Sequence, residues 1–108
     1  MLIRSQNKEV LVTLELLFDI EVSGGVISAR KDHRWCCLLG KYSTKAKVLK
    51  VLDMIQEAYA EYEIVKTFGT GMGMCSTHHY NMDYVKELEK RMYAKAVFQM
   101  PEDSEVEV

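Results

Sequence analysis

Methionine, cysteine and histidine crowd into one stretch of this chain, Met72-Gly73-Met74-Cys75-Ser76-Thr77-His78-His79. Thioether, thiolate and imidazole are the soft and borderline ligands that Cu(I) or Zn(II) prefer, and a glycine-rich loop can fold around an ion. Cys75, His78 and His79 are therefore the candidate ligands. The ligand count falls short, because no second Cys-x-x-Cys or His-x₃-His element lies at a usable distance and adjacent histidines rarely chelate one ion together. A loop whose soft residues are incidental is the better reading, and no metal or cofactor is expected. Cys75 beside His78 or His79 also has the composition of a thiol–imidazole pair, but such partners normally converge from distant segments on a rigid scaffold. Cys36 and Cys37 read as small apolar strand residues. Asp19 and Glu21 fall on the solvent face of one strand. No catalytic constellation emerges, and the chain is expected not to be an enzyme.

Gly69-x-Gly71-x-Gly73 has the look of a phosphate loop. A dinucleotide fingerprint needs a strand before the glycines, a helix directly after, and a third glycine three residues beyond the second. Here the third glycine comes too soon and no Gly-Lys-Ser/Thr follows, so backbone freedom explains the glycines better. Bases are unevenly placed as well. Arg30, Lys31, Arg34, Lys41, Lys45, Lys47 and Lys50 stand against the single acid Asp32, whereas Glu102, Asp103, Glu105 and Glu107 close the chain with no base. The basic 30–50 region is a candidate nucleic-acid surface, with Trp35 and Tyr42 as stacking platforms. Against that, the net charge is −2, nucleic-acid domains are usually basic overall, and Trp35 falls in the most apolar strand, where a core position is expected.

The elements that must position these residues follow from period. Phe18, Ile20 and Val22 alternate with Asp19 and Glu21, a half-buried strand. Gly24-Gly25 then marks a tight hairpin. Residues 1–3 and 9–14 read as an earlier hairpin, and 26–30 and 34–42 as the strands that complete a meander. From Thr44 to Tyr62 the period changes. Val48, Leu52, Ile55, Tyr59 and Tyr62 step by four, three, four and three, with Leu49, Val51 and Ala58 widening the stripe, so a helix is expected there, capped by Ser43 or Thr44. Its charges run base to acid, against the macrodipole, which leaves packing on the sheet to hold it. Residues 67–80 read as a mobile loop, 81–92 as a second helix capped by Asn81 or Asp83, and 96–100 as a short strand ended by Pro101. Trp35, Cys37 and Leu39 should share one face of the last meander strand and Cys36 and Leu38 the other, so both faces should be covered.

Composition sets the outer bounds. With 108 residues, 48% apolar and 28% charged, the chain has room for one domain and one core, which excludes disorder throughout. No apolar run approaches the ~20 residues that span a bilayer, the start lacks a signal-peptide core, and an odd number of cysteines, two of them adjacent, fits a reducing compartment. A cytoplasmic protein with no membrane association is expected.

Three blocks of the sequence carry a resemblance. The opening, Met1-Leu2-Ile3-Arg4-Ser5-Gln6-Asn7-Lys8-Glu9-Val10-Leu11-Val12, is similar to the start of short uncharacterised proteins of Gram-positive bacteria and their phages. Gly40-Lys41-Tyr42-Ser43-Thr44 leading into Val51-Leu52-Asp53-Met54-Ile55-Gln56-Glu57-Ala58, and Val97-Phe98-Gln99-Met100-Pro101-Glu102-Asp103, extend the likeness in the same order. It implies a small phage- or prophage-associated protein with no assigned activity, and supplies no catalytic residues.

The expectations are then as follows. Residues 1–100 form one α+β domain, an antiparallel β-meander of about five strands packed by one long helix, with a second helical segment and a short C-terminal strand. Residues 101–108 are an acidic, disordered tail. The role is that of a non-enzymatic accessory or protein-interaction protein, acting as a homo-oligomer (a dimer or higher) with a protein partner the sequence does not identify. The alternative is nucleic-acid binding through the basic 30–50 region, and third comes a soft-metal or thiol protein using Cys75, His78 and His79.

Overall fold

Alternating burial organises the first strand: Met1, Ile3 and Ser5 point inward and are buried, while Leu2 and Arg4 lie on the opposite face. The computed structural model describes residues 1–32, 35–75, 86, 87, 90 and 94–108, with the backbone alone at 68–75. In chain order its elements are β1 (Leu2–Arg4), β2 (Leu11–Thr13), β3 (Asp19–Ser23), β4 (Val26–Arg30), β5 (Cys36–Lys41), α1 (Lys45–Cys75) and β6 (Val97–Gln99). The fold is α+β, as the change of period predicts.

The strands divide between two sheets. β3, β4 and β5 form the antiparallel meander, and β1 and β2 form a hairpin joined on its other side by β6, which runs parallel to β1. A 3₁₀ turn over Leu14–Leu16 separates β2 from β3. The parallel pairing needs a long crossover, which α1 and the segment after it supply.

Two local devices hold the meander. At the β3–β4 turn Gly24 takes a φ of +61°, open to glycine at no steric cost. The Gly25 carbonyl accepts the Tyr42 N–H at 2.7 Å, and a Cβ on Gly25 would collide with the Tyr42 carbonyl oxygen. In the β4–β5 ladder Ile27 faces Gly40 and Ser28 faces Leu38, which leaves Leu39 as the extra residue of a bulge. Its carbonyl accepts the Gln6 N–H at 2.7 Å. The Gln6 side chain accepts from the Lys41 N–H at 2.9 Å and donates to the Lys41 and Pro101 carbonyls at 3.1 and 3.2 Å, so one glutamine fastens the two sheets to each other.

The Thr44 hydroxyl caps α1 by accepting the Lys47 N–H at 3.2 Å. Val48, Val51 and Ile55 are buried in one core with Ile3, Val12, Ile27, Ala29, Leu39, Tyr42, Met100 and Val106. Leu52 is half-buried and Leu49 exposed, so the helix is rotated from the expected phase toward Val51. It also runs 31 residues, to Cys75, through much of the segment expected to be a loop. Each glycine lowers helix propensity by ~1 kcal/mol but still makes its backbone bond, and an established helix propagates at low cost. Residues 76–80 lie outside the described residues. Of the expected second helix, 86, 87 and 90 are described and helical, as are 94–96. Asn81, Asp83 and the apolar positions Tyr84, Val85, Leu88 and Met92 lie outside the described residues. No helix among the described residues is long and apolar enough to cross a membrane.

The C-terminal segment corrects another expectation: it is folded against the domain. Glu102 and Glu105 cap each other across a 3₁₀ turn over Asp103–Glu105. Asp103 Oδ1 accepts the Ser43 N–H at 2.8 Å and the Ser43 hydroxyl at 3.1 Å. Lys47 Nζ donates to the Asp103 carbonyl at 2.9 Å, Tyr42 Oη donates to the Pro101 carbonyl at 2.7 Å, and Val106 is buried. The physical reason is the helix start. α1 has no acid in its first turn, and the tail brings the negative charge that its bases and macrodipole lack. The contacts with Ser43 and Lys47 hold the Asp103 carboxyl below its ordinary range. Burial, with Glu102, Asp103 and Glu105 beside it, pushes the Tyr42 phenol up to about 12.

Candidate docking groove

β2 is an edge strand, and its hydrogen-bonding pattern decides what that edge offers. The Ser5 N–H donates to the Val10 carbonyl and the Leu14 N–H to the Met1 carbonyl. With Ile3 opposite Val12, Leu2 opposite Thr13 and Arg4 opposite Leu11, the strict alternation of an antiparallel ladder turns Val10, Val12 and Leu14 toward β1. The N–H and C=O groups of Leu11 and Thr13 therefore point away from the sheet. Among the described residues no strand pairs with this edge, and the Thr13 carbonyl opens the 3₁₀ turn that follows.

Beside this edge lies an open groove of about 440 Å³ lined by Leu11, Val12, Thr13, Leu16, Leu17, Lys31, Asp32 and Trp35. One wall is β2 with the 3₁₀ turn that follows it, and the other is made by Lys31, Asp32 and Trp35. Its apolar lining is open to solvent: Leu11 is 57% exposed, Leu16 67% and Trp35 40%. The far wall is held in place by its own hydrogen bonds. Asp32 Oδ1 accepts the Trp35 N–H at 2.9 Å, and the Lys31 N–H donates to the Trp35 carbonyl at 3.3 Å. This corrects the sequence reading of Trp35, which sits before β5 and outside the core, its N–H taken by the Asp32 side chain.

The outer face of the meander is equally informative. Cys36 and Leu38, expected to be covered, are exposed within the chain, while Leu39 is buried and Cys37 half-buried on the core side. Burial pushes the Cys37 thiol up, away from thiolate chemistry. Beside Cys36, Arg30 donates to both Asp19 oxygens at 3.1 and 3.0 Å and pairs with Glu21 at 3.2 Å, with its guanidinium 5.8 Å from the Phe18 ring centroid.

Among the described residues the basic candidates are spread over several elements. Arg30 lies opposite Cys36 and Val26 opposite Lys41, so Arg30 and Lys31 stand at one end of the β4–β5 ladder and Lys41 at the other, roughly 16 Å away at strand rise. Lys45 and Lys50 are exposed on α1, Lys47 is engaged by Asp103, and Arg34 lies outside the described residues. Cys75 closes α1, while His78 and His79 lie outside the described residues. No group of three His, Cys, Asp or Glu side chains among the described residues is placed to hold a metal ion.

Sequence reasoning missed Leu11 and Leu16. The one signal was an excess of apolar residues over 14–18, more than an alternating strand can bury. An exposed apolar lining beside an open strand edge is suited to recognising polypeptide. No protein-family model, curated protein or solved structure matches this chain.

Proposed function

We propose that this chain is a non-enzymatic, cytoplasmic interaction protein, an accessory protein of the phage-associated kind its sequence blocks resemble, whose docking site is the β2 groove. A partner segment binds there in extended form as a further strand. Its backbone pairs with Leu11 and Thr13, and its side chains lie among Leu11, Leu16, Leu17 and Trp35. The observation that carries this reading is the unpaired edge of β2 running along an apolar groove. Edge strands without protection are templates for pairing, and strand addition draws affinity from main-chain bonds and specificity from flanking pockets. The divided and partly neutralised bases favour this over the nucleic-acid alternative.

Selection of displayed random peptides on the immobilised protein tests the reading. Enriched peptides should alternate apolar and polar residues and shift the emission of Trp35, the single tryptophan, to shorter wavelength. They should lose binding to Thr13→Pro, which removes an outward N–H and spares the β1 ladder. Peptides that bind Thr13→Pro equally well, or leave Trp35 emission unmoved, would place docking elsewhere.

A further inference from the structure

We infer that the peptide docked at β2 runs parallel to it and bonds through two apolar, groove-facing residues separated by one other. This rests on the docking reading above and defines the class of peptide that the edge accepts. The free part of the edge has definite ends. The Val10 N–H donates to the Ser5 hydroxyl at 3.1 Å, on the β1 side, so the Glu9 carbonyl across the same planar peptide points outward. The Glu9 N–H donates to the Asn7 side chain at 3.0 Å, and the Thr13 carbonyl is used by the 3₁₀ turn. What remains, in order along the edge, is the Glu9 carbonyl, the Leu11 N–H, the Leu11 carbonyl and the Thr13 N–H.

That order suits one direction. In a parallel ladder each bonding residue links to the two residues that flank its neighbour on the other strand. A peptide residue level with Val10 then donates to Glu9 and accepts from Leu11, and one level with Val12 donates to Leu11 and accepts from Thr13. These two residues and the one between them use every free group of the edge, and each N–H and C=O they aim at β2 finds a partner. An antiparallel strand reaches the same groups only by ordering a longer stretch, from level with Glu9 to level with Thr13. Its end residues then aim a carbonyl at the occupied Glu9 N–H and an N–H at the occupied Thr13 carbonyl. More chain is ordered for the same bonds, and two groups are left facing partners already taken. Direction also decides which side chains belong to the bonding residues. Neighbours level with each other share a face of the sheet. Val10 and Val12 are on the core side, and Val12 borders the groove with Leu17 and Trp35. In the parallel case the residues that make the bonds are therefore those that face the groove. In the antiparallel case they are level with Leu11, on the outer face with Arg4.

Peptides enriched by the selection above, synthesised with a nitroxide at one end or the other, test the direction on the isotopically labelled full chain. A nitroxide at the amino end should broaden the amide resonances of residues 8–10, and one at the carboxyl end those of residues 14–17. N-methylation of either apolar residue should weaken binding roughly tenfold, whereas N-methylation of the residue between them should leave it unchanged. Reversed broadening overturns the inference, as does a loss of binding confined to the middle residue, and either result leaves the groove standing. Failure to enrich any peptide, or binding indifferent to Thr13→Pro, defeats the groove and the direction together.

Discussion

Val106→Ala asks whether the acidic tail belongs to the fold. Val106 is 5% exposed and joins the core, whereas Val108, two residues on, is 79% exposed. Replacing valine by alanine removes two carbons, ~1.6 kcal/mol at ~0.8 kcal/mol per buried CH₂, and the cavity left behind adds to this. A loss of about 2 kcal/mol is therefore expected for Val106→Ala, lowering Tm by about 8–12 °C in a domain of this size. Val108→Ala should stay within ~0.5 kcal/mol of the parent. Urea unfolding followed by far-ultraviolet circular dichroism measures both, and an unchanged m-value would confirm that stability alone has moved. Equal, negligible effects at the two valines would refute the docked tail. Equal, large effects would show that burial does not govern the segment.

Acid should loosen the same segment. Asp103 is held below its ordinary range, so its stabilising contribution is full above the unfolded value of about 3.9 and is lost as pH falls through the lower folded value. The Val106 methyl resonances should move toward random-coil shifts in that window, and Asp103→Asn should show them displaced already at neutral pH. Within α1, Ile55→Ala should cost ~2–5 kcal/mol and Gln56→Ala little; chemical denaturation giving equal losses would show the helix phase to be wrong. Leu52→Ala should fall between them, since Leu52 is half-buried.

What was legible in the sequence is what short-range pattern controls. Gly24-Gly25, the Thr44 cap and the strand Val97–Gln99 each depend on a few neighbouring residues, and the period-two and period-three-to-four stretches separate strand from helix. The partition into two sheets was not legible, because it depends on which strands pair across the chain, and alternation looks the same in either sheet. The tail looked disordered because its acids have no nearby partner in sequence. Asp103 finds Ser43 60 residues away. Glycine content suggested a loop where α1 continues, since propensity is a weak force beside an already formed helix. The groove was hidden for a related reason: Trp35 read as a core residue until the Asp32 turn placed it before β5, and the outward groups of β2 are known only once the register with β1 is known.

Amide hydrogen exchange at β2 tests the docking reading most directly. In the chain alone, the Val12 and Leu14 amides should be protected by the β1 ladder and those of Leu11 and Thr13 should exchange freely. When the groove is filled by a selected peptide, Leu11 and Thr13 should gain protection together while Val12 and Leu14 change little. Protection of Leu11 and Thr13 in the chain alone, or their continued free exchange once a partner is bound, would contradict the proposal that this edge is where the protein docks.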